Sequence, residues 1–320
     1  MSALPKISII TPSFNQGQYL EQTILSIIQQ GYENLEFIII DGGSTDTTVD
    51  VIKKYEDKIA YWVSEPDRGQ AHAINKGLAV ATGEIFNWVN SDDYLLPGSF
   101  HEIGKFFNEN PHKEVYCGYT RCFYDKDNST SHTYRMGVKE TVADTILNVE
   151  MNQPGSFYRT NVVKELGGVN ESLRYVFDDE LWFRYLCSRG LNNIGFSENT
   201  FAEFRLHGSS KSVGEGFDLF NIEIQTLYTD IAMAAGLAVW LTDKMKAEAL
   251  APKYITSKRW DVAQLEANRF AGYFANKYLH YFYAHGEKEN AREAMKMSRD
   301  NGYFKWNRMM LSLFIKLQLQ

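Results

Sequence analysis

The sequence predicts an α/β fold, a mostly parallel central sheet flanked by helices, followed by a helical C-terminal region. Three observations predict it. Strand and helix patterns alternate through residues 1–112, four strand ends carry polar or acidic clusters, and helical spacing dominates from Phe217 onward. Alternation of this kind folds into a parallel sheet covered by helices. In such sheets ligands bind at the carboxyl ends of the strands.

The elements follow in order. Ile7-Ser8-Ile9-Ile10, ending at Thr11-Pro12, is a short apolar run and reads as a buried strand. Leu20, Ile24, Ile27 and Ile28 repeat at helical spacing, and Gly31 closes that helix. Leu35 to Ile40 is the next buried strand. Thr47 with Asp50 forms a capping box for a helix carrying Val49, Ile52 and Tyr55. Ile59, Tyr61 and Val63 alternate as a strand, Ala71 to Val80 is a helix stopped at Gly83, and Ile85 to Val89 is another strand. Pro97-Gly98 opens a helix with Phe100, Ile103 and Phe106. From Val115 to about Leu206 the pattern is mixed, an α+β half that completes a cleft. Tyr278, Tyr281, Ala291 and Ala294 mark an antiparallel helix pair.

Composition narrows the function. The 320 residues are 44% hydrophobic with a net charge of −7, and no long Lys/Arg block is present. A nucleic-acid partner is therefore not expected. A small phosphate ligand remains compatible, because a metal and backbone N–H groups neutralise it locally. Cys117, Cys122 and Cys187 are too few and too irregular for a disulfide framework or a zinc site. Met1 runs directly into a strand pattern without a charged-then-apolar leader. The longest apolar run, Ile231 to Leu241, falls short of the roughly 20 residues that span a bilayer. A cytoplasmic protein is expected.

The polar clusters at the four strand ends are Thr11 to Asn15, Asp41 to Asp46, Ser64 to Gly69 and Asn90 to Asp93. Asp41 ends the second strand, where a carboxylate accepts from a nucleobase or ribose, or else caps a tight turn. The adjacent Asp92 and Asp93 repel each other, a penalty that a hard divalent cation removes, or else they form an exposed turn before Pro97-Gly98. In Asp67-Arg68-Gly69, Arg68 either faces a phosphate or lies on a solvated turn. Asp178, Asp179 and Glu180 open a helix, as dipole partners or with one of them as a general base. His207 lies among Arg205, Ser209, Ser210 and Lys211, a phosphate-friendly group, and is either a structural histidine or a ligand.

Together these residues resemble the inverting glycosyltransferases of family 2, which have the GT-A-like nucleotide-diphospho-sugar transferase fold. Ile-Ile-Thr-Pro-Ser-Phe-Asn at 9–15 looks like the family's opening strand and loop, and Asp-Gly-Gly-Ser-Thr-Asp at 41–46 like its nucleoside-binding segment. Asp67-Arg68-Gly69 through Asn75-Lys76-Gly77 matches the next block, and Asn-Ser-Asp-Asp at 90–93 falls at the metal-binding acidic motif. Gln153-Pro154-Gly155, Gly167 to Glu171 and Asp178 to Arg184 match the acceptor and catalytic half.

The resemblance implies a catalytic domain over 1–212, split into a nucleotide-sugar-binding half (1–112) and an acceptor half (113–212), with a helical region over 213–320. It implies a nucleotide-sugar donor, expected to be a UDP-sugar, held near Thr11, Pro12, Asp41, Asp67, Arg68 and Asp92. Mn²⁺ or Mg²⁺ would sit on Asp93 and Asp92 with His207, and Gln153 would lie on the acceptor side. Aligning Leu181-Trp182-Phe183-Arg184 with the family's Leu-Trp-x-Arg places the base at Asp178, with Asp179 as the alternative. The acceptor would be a hydroxyl of a glycan or lipid-linked glycan, as in bacterial surface polysaccharide assembly. Polymerising members carry Gln-x-x-Arg-Trp and spanning helices; here Thr256 stands in place of the Gln before Arg259-Trp260, which favours single-sugar transfer.

A nucleotidyltransferase would want a basic loop after the first strand, and Thr11 to Gly17 has no Lys or Arg. A non-catalytic glycan-binding relative is the other alternative. In the C-terminal helices, Tyr303, Phe304, Trp306 and Phe314 mix with Lys305, Arg308 and Lys316, which suits a membrane surface or a second copy of the chain.

Overall fold

A computed structural model describes residues 4–208, 217–249, 254–256, 260–306 and 308–318. Ser209, Ser210, Lys211 and Arg259, singled out above, lie outside the described residues. The chain forms two compact units.

The first unit comprises Met1–Gly137, Glu150–Tyr185 and Leu191–Asp218. It begins with β1 (Ile7–Ser13), α1 (Gly17–Ile28), β2 (Leu35–Asp41), α2 (Thr48–Lys54), β3 (Tyr61–Ser64) and α3 (Gln70–Val80). β4 (Ile85–Trp88), the short β5 (Tyr94–Leu95) and α4 (Ser99–Glu109) follow. Next in the chain come β6 (Val115–Tyr124), β7 (Thr130–Arg135), α5 (Val142–Leu147), which belongs to the second unit, β8 (Ser156–Arg159), α6 (Thr160–Leu166), α7 (Phe177–Arg189), in the first unit as far as Tyr185, and β9 (Ile194–Leu206). The sheet order is β3-β2-β1-β4-β8-β6-β9-β5, with β7 on β6. β1, β2, β3, β4, β6 and β9 run one way and β5, β7 and β8 the other, so the sheet is mostly parallel. The architecture is the mixed α/β class expected from the sequence.

The local reasons are legible in the chain. Every residue of β1 is buried, as is every residue of β2 but Leu35. Strands covered on both faces read as continuous apolar runs. α3 lies close on β1 because residue 77 is glycine, where a Cβ would stand 2.6 Å from Ile10. The capping box expected at Thr47 is not formed, since its side chain makes no capping bond. Asp46 takes the role instead. Its carboxylate accepts from the Thr48 N–H at 3.0 Å and the Thr48 hydroxyl at 2.5 Å, and from the Gly17 N–H at 3.0 Å. An ionised acceptor makes the stronger bond, and Asp46 thereby joins the starts of α1 and α2.

The second unit comprises Val138–Val149, Leu186–Gly190 and Leu219–Gln320. α5 falls within the stretch 113–212, yet it clusters with the C-terminal helices. Those are α8 (Phe217–Ala234), α9 (Val239–Glu248), α10 (Ala267–Ala284), α11 (Lys288–Asp300) and α12 (Arg308–Gln318). α10 and α11 are the expected antiparallel pair: Phe270, Phe274 and Phe282 are buried, as are Ala291 and Ala294. Gly272 near the start of α10 packs against Asn301 just past the end of α11, and Asn276 in the middle of α10 accepts from Ser298. Among the described residues no helix is long and apolar enough to cross a membrane. All three cysteines are buried free thiols.

Candidate active site

Because β1, β2, β3 and β4 are parallel neighbours, their carboxyl ends bring four loops to one edge of the sheet. Hydrogen bonds fasten the first two loops together. Asn15, held at φ +51°, donates its N–H to Ser44 Oγ at 2.7 Å, and its side-chain oxygen accepts from the Thr45 N–H at 2.9 Å. Asp41 is fully buried and its carboxylate faces its own loop. It accepts from the Gly43 N–H (3.1 Å), the Ser44 N–H (2.9 Å), the Ser44 hydroxyl (2.5 Å) and the Ser64 hydroxyl (2.6 Å). Asp41 therefore builds the loop that a ligand would meet.

Thr11 and Pro12 lie inside β1 and are buried, but the Thr11 hydroxyl, like that of Ser13, has no partner among the described residues. A buried hydroxyl without a partner is an available donor at a strand end. Beyond them Phe14 is 59% exposed, an aromatic face at the rim that the sequence reading passed over. Asp67 accepts from the Gly69 N–H at 2.7 Å. Its other oxygen lies 3.0 Å from where a Cβ on Gly42 would stand, so glycine at 42 admits it. Arg68 is paired with Glu171 at 2.5 Å while largely exposed. An exposed pair of this kind contributes about 0–1 kcal/mol, so a phosphate can compete for the guanidinium.

The β4 loop carries the acidic pair, and the structure divides its roles. Asp93 is buried, and both carboxylate oxygens have protein donors: the Arg205 N–H at 3.0 Å and the Asn90 amide at 3.2 Å. Burial, then the charge of Asp92, pushes the Asp93 carboxyl well above its ordinary range, against the donors from Arg205 and Asn90. Asp92 is the more open of the two, and its carboxylate meets His207 Nε2 at 3.0 Å. Arg205 locks the arrangement. Its guanidinium donates to the Asp92 carbonyl (2.9 Å), the Asp125 carboxylate (2.5 Å) and Gln22 (2.5 Å). Asp92 and His207 thus offer an oxygen and an imidazole nitrogen side by side, a set that suits a divalent transition metal. No group of three or more His, Cys, Asp or Glu side chains that could hold a metal ion occurs among the described residues, so phosphate oxygens and water would complete the shell.

The three acids that open α7 also separate. Glu180 is fully buried in an ion pair with Arg184 at 2.6 Å, and Arg184 also donates to the Leu166 and Gly168 carbonyls. Asp179 is 4% exposed, and one of its oxygens has no partner among the described residues. Burial first, and the charge of Asp178 second, raise its carboxyl well above the usual range. Asp178 alone of the three is half-exposed. The Tyr134 hydroxyl is pushed upward by burial first and then by its acidic neighbours, Asp93 and Asp178 among them. Gln153 is buried and spends its amide on Asn87 (2.9 Å) and the Trp88 carbonyl (2.6 Å), holding its loop against β4.

Residues 8–167 match the profile of glycosyl transferase family 2. The chain belongs to that family. It is 28% identical over 213 residues to an uncharacterized glycosyltransferase of Rickettsia typhi, which covers 63% of the chain and 64% of the relative, just under two thirds of that protein's length. An uncharacterized glycosyltransferase of Nostoc is 26% identical over 284 residues, covering 81% of the chain and 86% of the relative. Among solved structures, residues 1–349 of S. aureus TarS, in complex with UDP-GlcNAc, superpose with a TM-score of 0.58 at 19% identity, covering 94% of each chain. A mannosyltransferase of Pyrobaculum calidifontis, in complex with GDP-Man and Mn²⁺, gives 0.51 at 16% identity, covering all of the chain and 82% of that protein. At these identities the likeness concerns the fold.

Within this family 2 domain, the residues that sequence reasoning missed act through others. Arg205 and Asn90 orient the acidic pair, and Gln70 joins the β3 and β4 loops by donating to Asn90 at 2.6 Å. The available signal was Arg205 two residues before His207, on a strand ending at the same edge.

Proposed function

We propose that the chain is an inverting glycosyltransferase that moves one sugar from a nucleotide-diphospho-sugar to a hydroxyl of a glycan or lipid-linked glycan. The observation that carries this reading is the pairing of Asp92 with His207 Nε2 at 3.0 Å on the loop after β4, together with Asp178 as the one acid at the start of α7 that stays partly open. The Thr11 hydroxyl, the Phe14 ring and Asp67 would hold the nucleoside, and Arg68 would exchange Glu171 for a phosphate. Asp92 and His207 would hold Mn²⁺ or Mg²⁺, with Asp93 fixing the loop beneath them. The imidazole favours Mn²⁺, since Mg²⁺ prefers oxygen ligands. A cation there supplies charge neutralisation to the leaving diphosphate. Asp178 takes the proton of the acceptor hydroxyl. That oxygen bonds to the anomeric carbon as the bond to the diphosphate breaks on the opposite face, a single inverting displacement.

A donor that contacts both a metal and the loops should stabilise the fold. Thermal shift with UDP-, GDP- and dTDP-sugars plus Mn²⁺ is the test. One donor at 100 times its Kd should stabilise by about 2.7 kcal/mol, UDP-sugars being the first choice. The shift should shrink without Mn²⁺ and in His207→Ala. Full turnover after exhaustive chelation would sink the metal assignment, and no shift with any donor would sink the donor class.

The exposed face of α12 supports a peripheral location on the cytoplasmic membrane surface. Trp306, just before α12, is 58% exposed, and on α12 Leu311 is 49% and Ile315 45% exposed. From Asn301 to Gln320 the chain carries Lys305, Arg308 and Lys316 and no acidic residue. Apolar side chains flanked by cations suit an anionic interface. The protein should pellet with anionic but not zwitterionic vesicles, and replacing Trp306, Leu311 and Ile315 by Ser should abolish pelleting. Equal pelleting of the two proteins would favour a contact between copies of the chain.

A further inference from the structure

The second unit contains a cavity of about 380 Å³ lined by Asn148, Tyr273, Asn276, Tyr303, Lys305 and Met310. That volume lies in the range of small-molecule sites, roughly 300–1,000 Å³. Its wall is fixed. The Tyr303 hydroxyl donates to the Asp144 carboxylate at 2.6 Å, and Asp144 also accepts from Arg269 Nε at 2.5 Å and the Thr141 hydroxyl at 2.8 Å. Arg269 lies over the Tyr303 ring at 5.3 Å, and Tyr273 meets that ring edge-on at 5.7 Å and 82°. Tyr273 and Asn276 stand three residues apart on α10, hence on one helix face.

The polar groups of the lining are only half used. Asn276 accepts from the Ser298 hydroxyl at 3.0 Å, and Asn148 donates to the Asp144 carbonyl at 2.9 Å. Beyond these bonds the Asn276 amide NH₂, the Asn148 side-chain oxygen and the Tyr273 hydroxyl make no hydrogen bond to the described residues, with Asn148 exposed and Tyr273 and Asn276 half-buried. They amount to a donor, an acceptor and a group that is both. A sugar ring matches this set: its hydroxyls donate and accept, and its C–H face is apolar and packs on an aromatic ring. A nucleoside diphosphate does not match, because the lining carries one cation, Lys305, among the described residues.

We propose that this cavity is a carbohydrate site that takes one pyranose unit of the acceptor glycan, with Tyr273 as the stacking surface and Asn148 and Asn276 reading hydroxyls. Assignment of the ligand to the acceptor rests on the transferase reading above. The test is saturation-transfer NMR of the full chain with the methyl glycosides of glucose, galactose, mannose, N-acetylglucosamine and glucuronic acid. At least one should bind, and Tyr273→Ala should weaken it about tenfold or more. Asn276→Ala gives the same reading should Tyr273→Ala melt early, and Asp178→Asn should keep the signal. Absence of any glycoside signal that depends on Tyr273 or Asn276 would overturn the proposal. Donor-induced thermal shifts with no such signal would leave the transferase standing and remove this site. Such a signal with no donor shift would do the reverse.

Discussion

Asp178→Asn is expected to lower kcat by about 10²- to 10⁴-fold, the usual contribution of a positioned base. Donor affinity should be nearly unchanged, because in the proposed mechanism Asp178 would meet the acceptor. The first turn of α7 offers three acids, and the fold leaves one of them suited to the task. Glu180 is tied into a buried pair with Arg184, and breaking such a pair costs about 3–5 kcal/mol, so its loss would read as unfolding. Asp179 is enclosed, and its carboxyl is held toward the protonated form by burial and by Asp178. A protonated acid cannot accept the hydroxyl proton. Asp179→Asn should therefore keep most activity and melt no lower than the parent, since a neutral group replaces one that is costly to charge. Steady-state kinetics on the two variants decides the matter. Loss of activity in Asp179→Asn with activity kept in Asp178→Asn would move the base one residue along. A large fall in donor affinity in Asp178→Asn would assign it to the metal or to the fold.

The second large effect is expected at the acidic pair, where the two variants should fail differently. Asp92→Ala should abolish turnover and the Mn²⁺-dependent part of the donor shift while the melting temperature without ligand stays close to the parent's. Asp92 is the outward member, beside His207. Asp93→Ala should also abolish turnover, but with a stability loss of about 1–3 kcal/mol, because the buried Arg205 N–H and the Asn90 amide lose their acceptor. Asp93→Asn should recover part of that stability, since an amide oxygen can still accept from Arg205. Melting curves with and without donor separate the cases. An unchanged melting temperature in Asp93→Ala would show that its carboxylate bonds contribute little. An active Asp92→Ala protein would show that this carboxylate does not serve the donor diphosphate.

The first hundred residues were legible because their signals are local. Ile9-Ile10 in β1 and Ile38-Ile39-Ile40 in β2 are runs that only a strand covered on both faces tolerates. Gly31 and Gly98 stand at helix boundaries with positive φ, as their positions suggested. The polar clusters fell at strand ends, so the edge that gathers them followed from parallel topology alone. The cap at α2 was misread by one residue, because the Gly17 N–H, distant in the chain, turns the Asp46 carboxylate to the start of α2.

The sequence by itself determined the α/β class, the order of the elements, the strand ends that carry polar clusters and the two acidic clusters, Asp92-Asp93 and Asp178-Asp179-Glu180. Each depends on periodicity or on neighbouring residue types, which the chain displays directly. Only the tertiary structure decided which acid in each cluster is open and which is spent. Asp93 is turned inward by the Arg205 N–H, Glu180 is held by an Arg184 that also grips the Leu166 and Gly168 carbonyls, and Asp41 is taken up by donors from its own loop and from Ser64. Adjacent carboxylates are chemically alike in the chain. They differ only in the desolvation and the donors that the folded protein brings to them, and most of those donors come from distant segments.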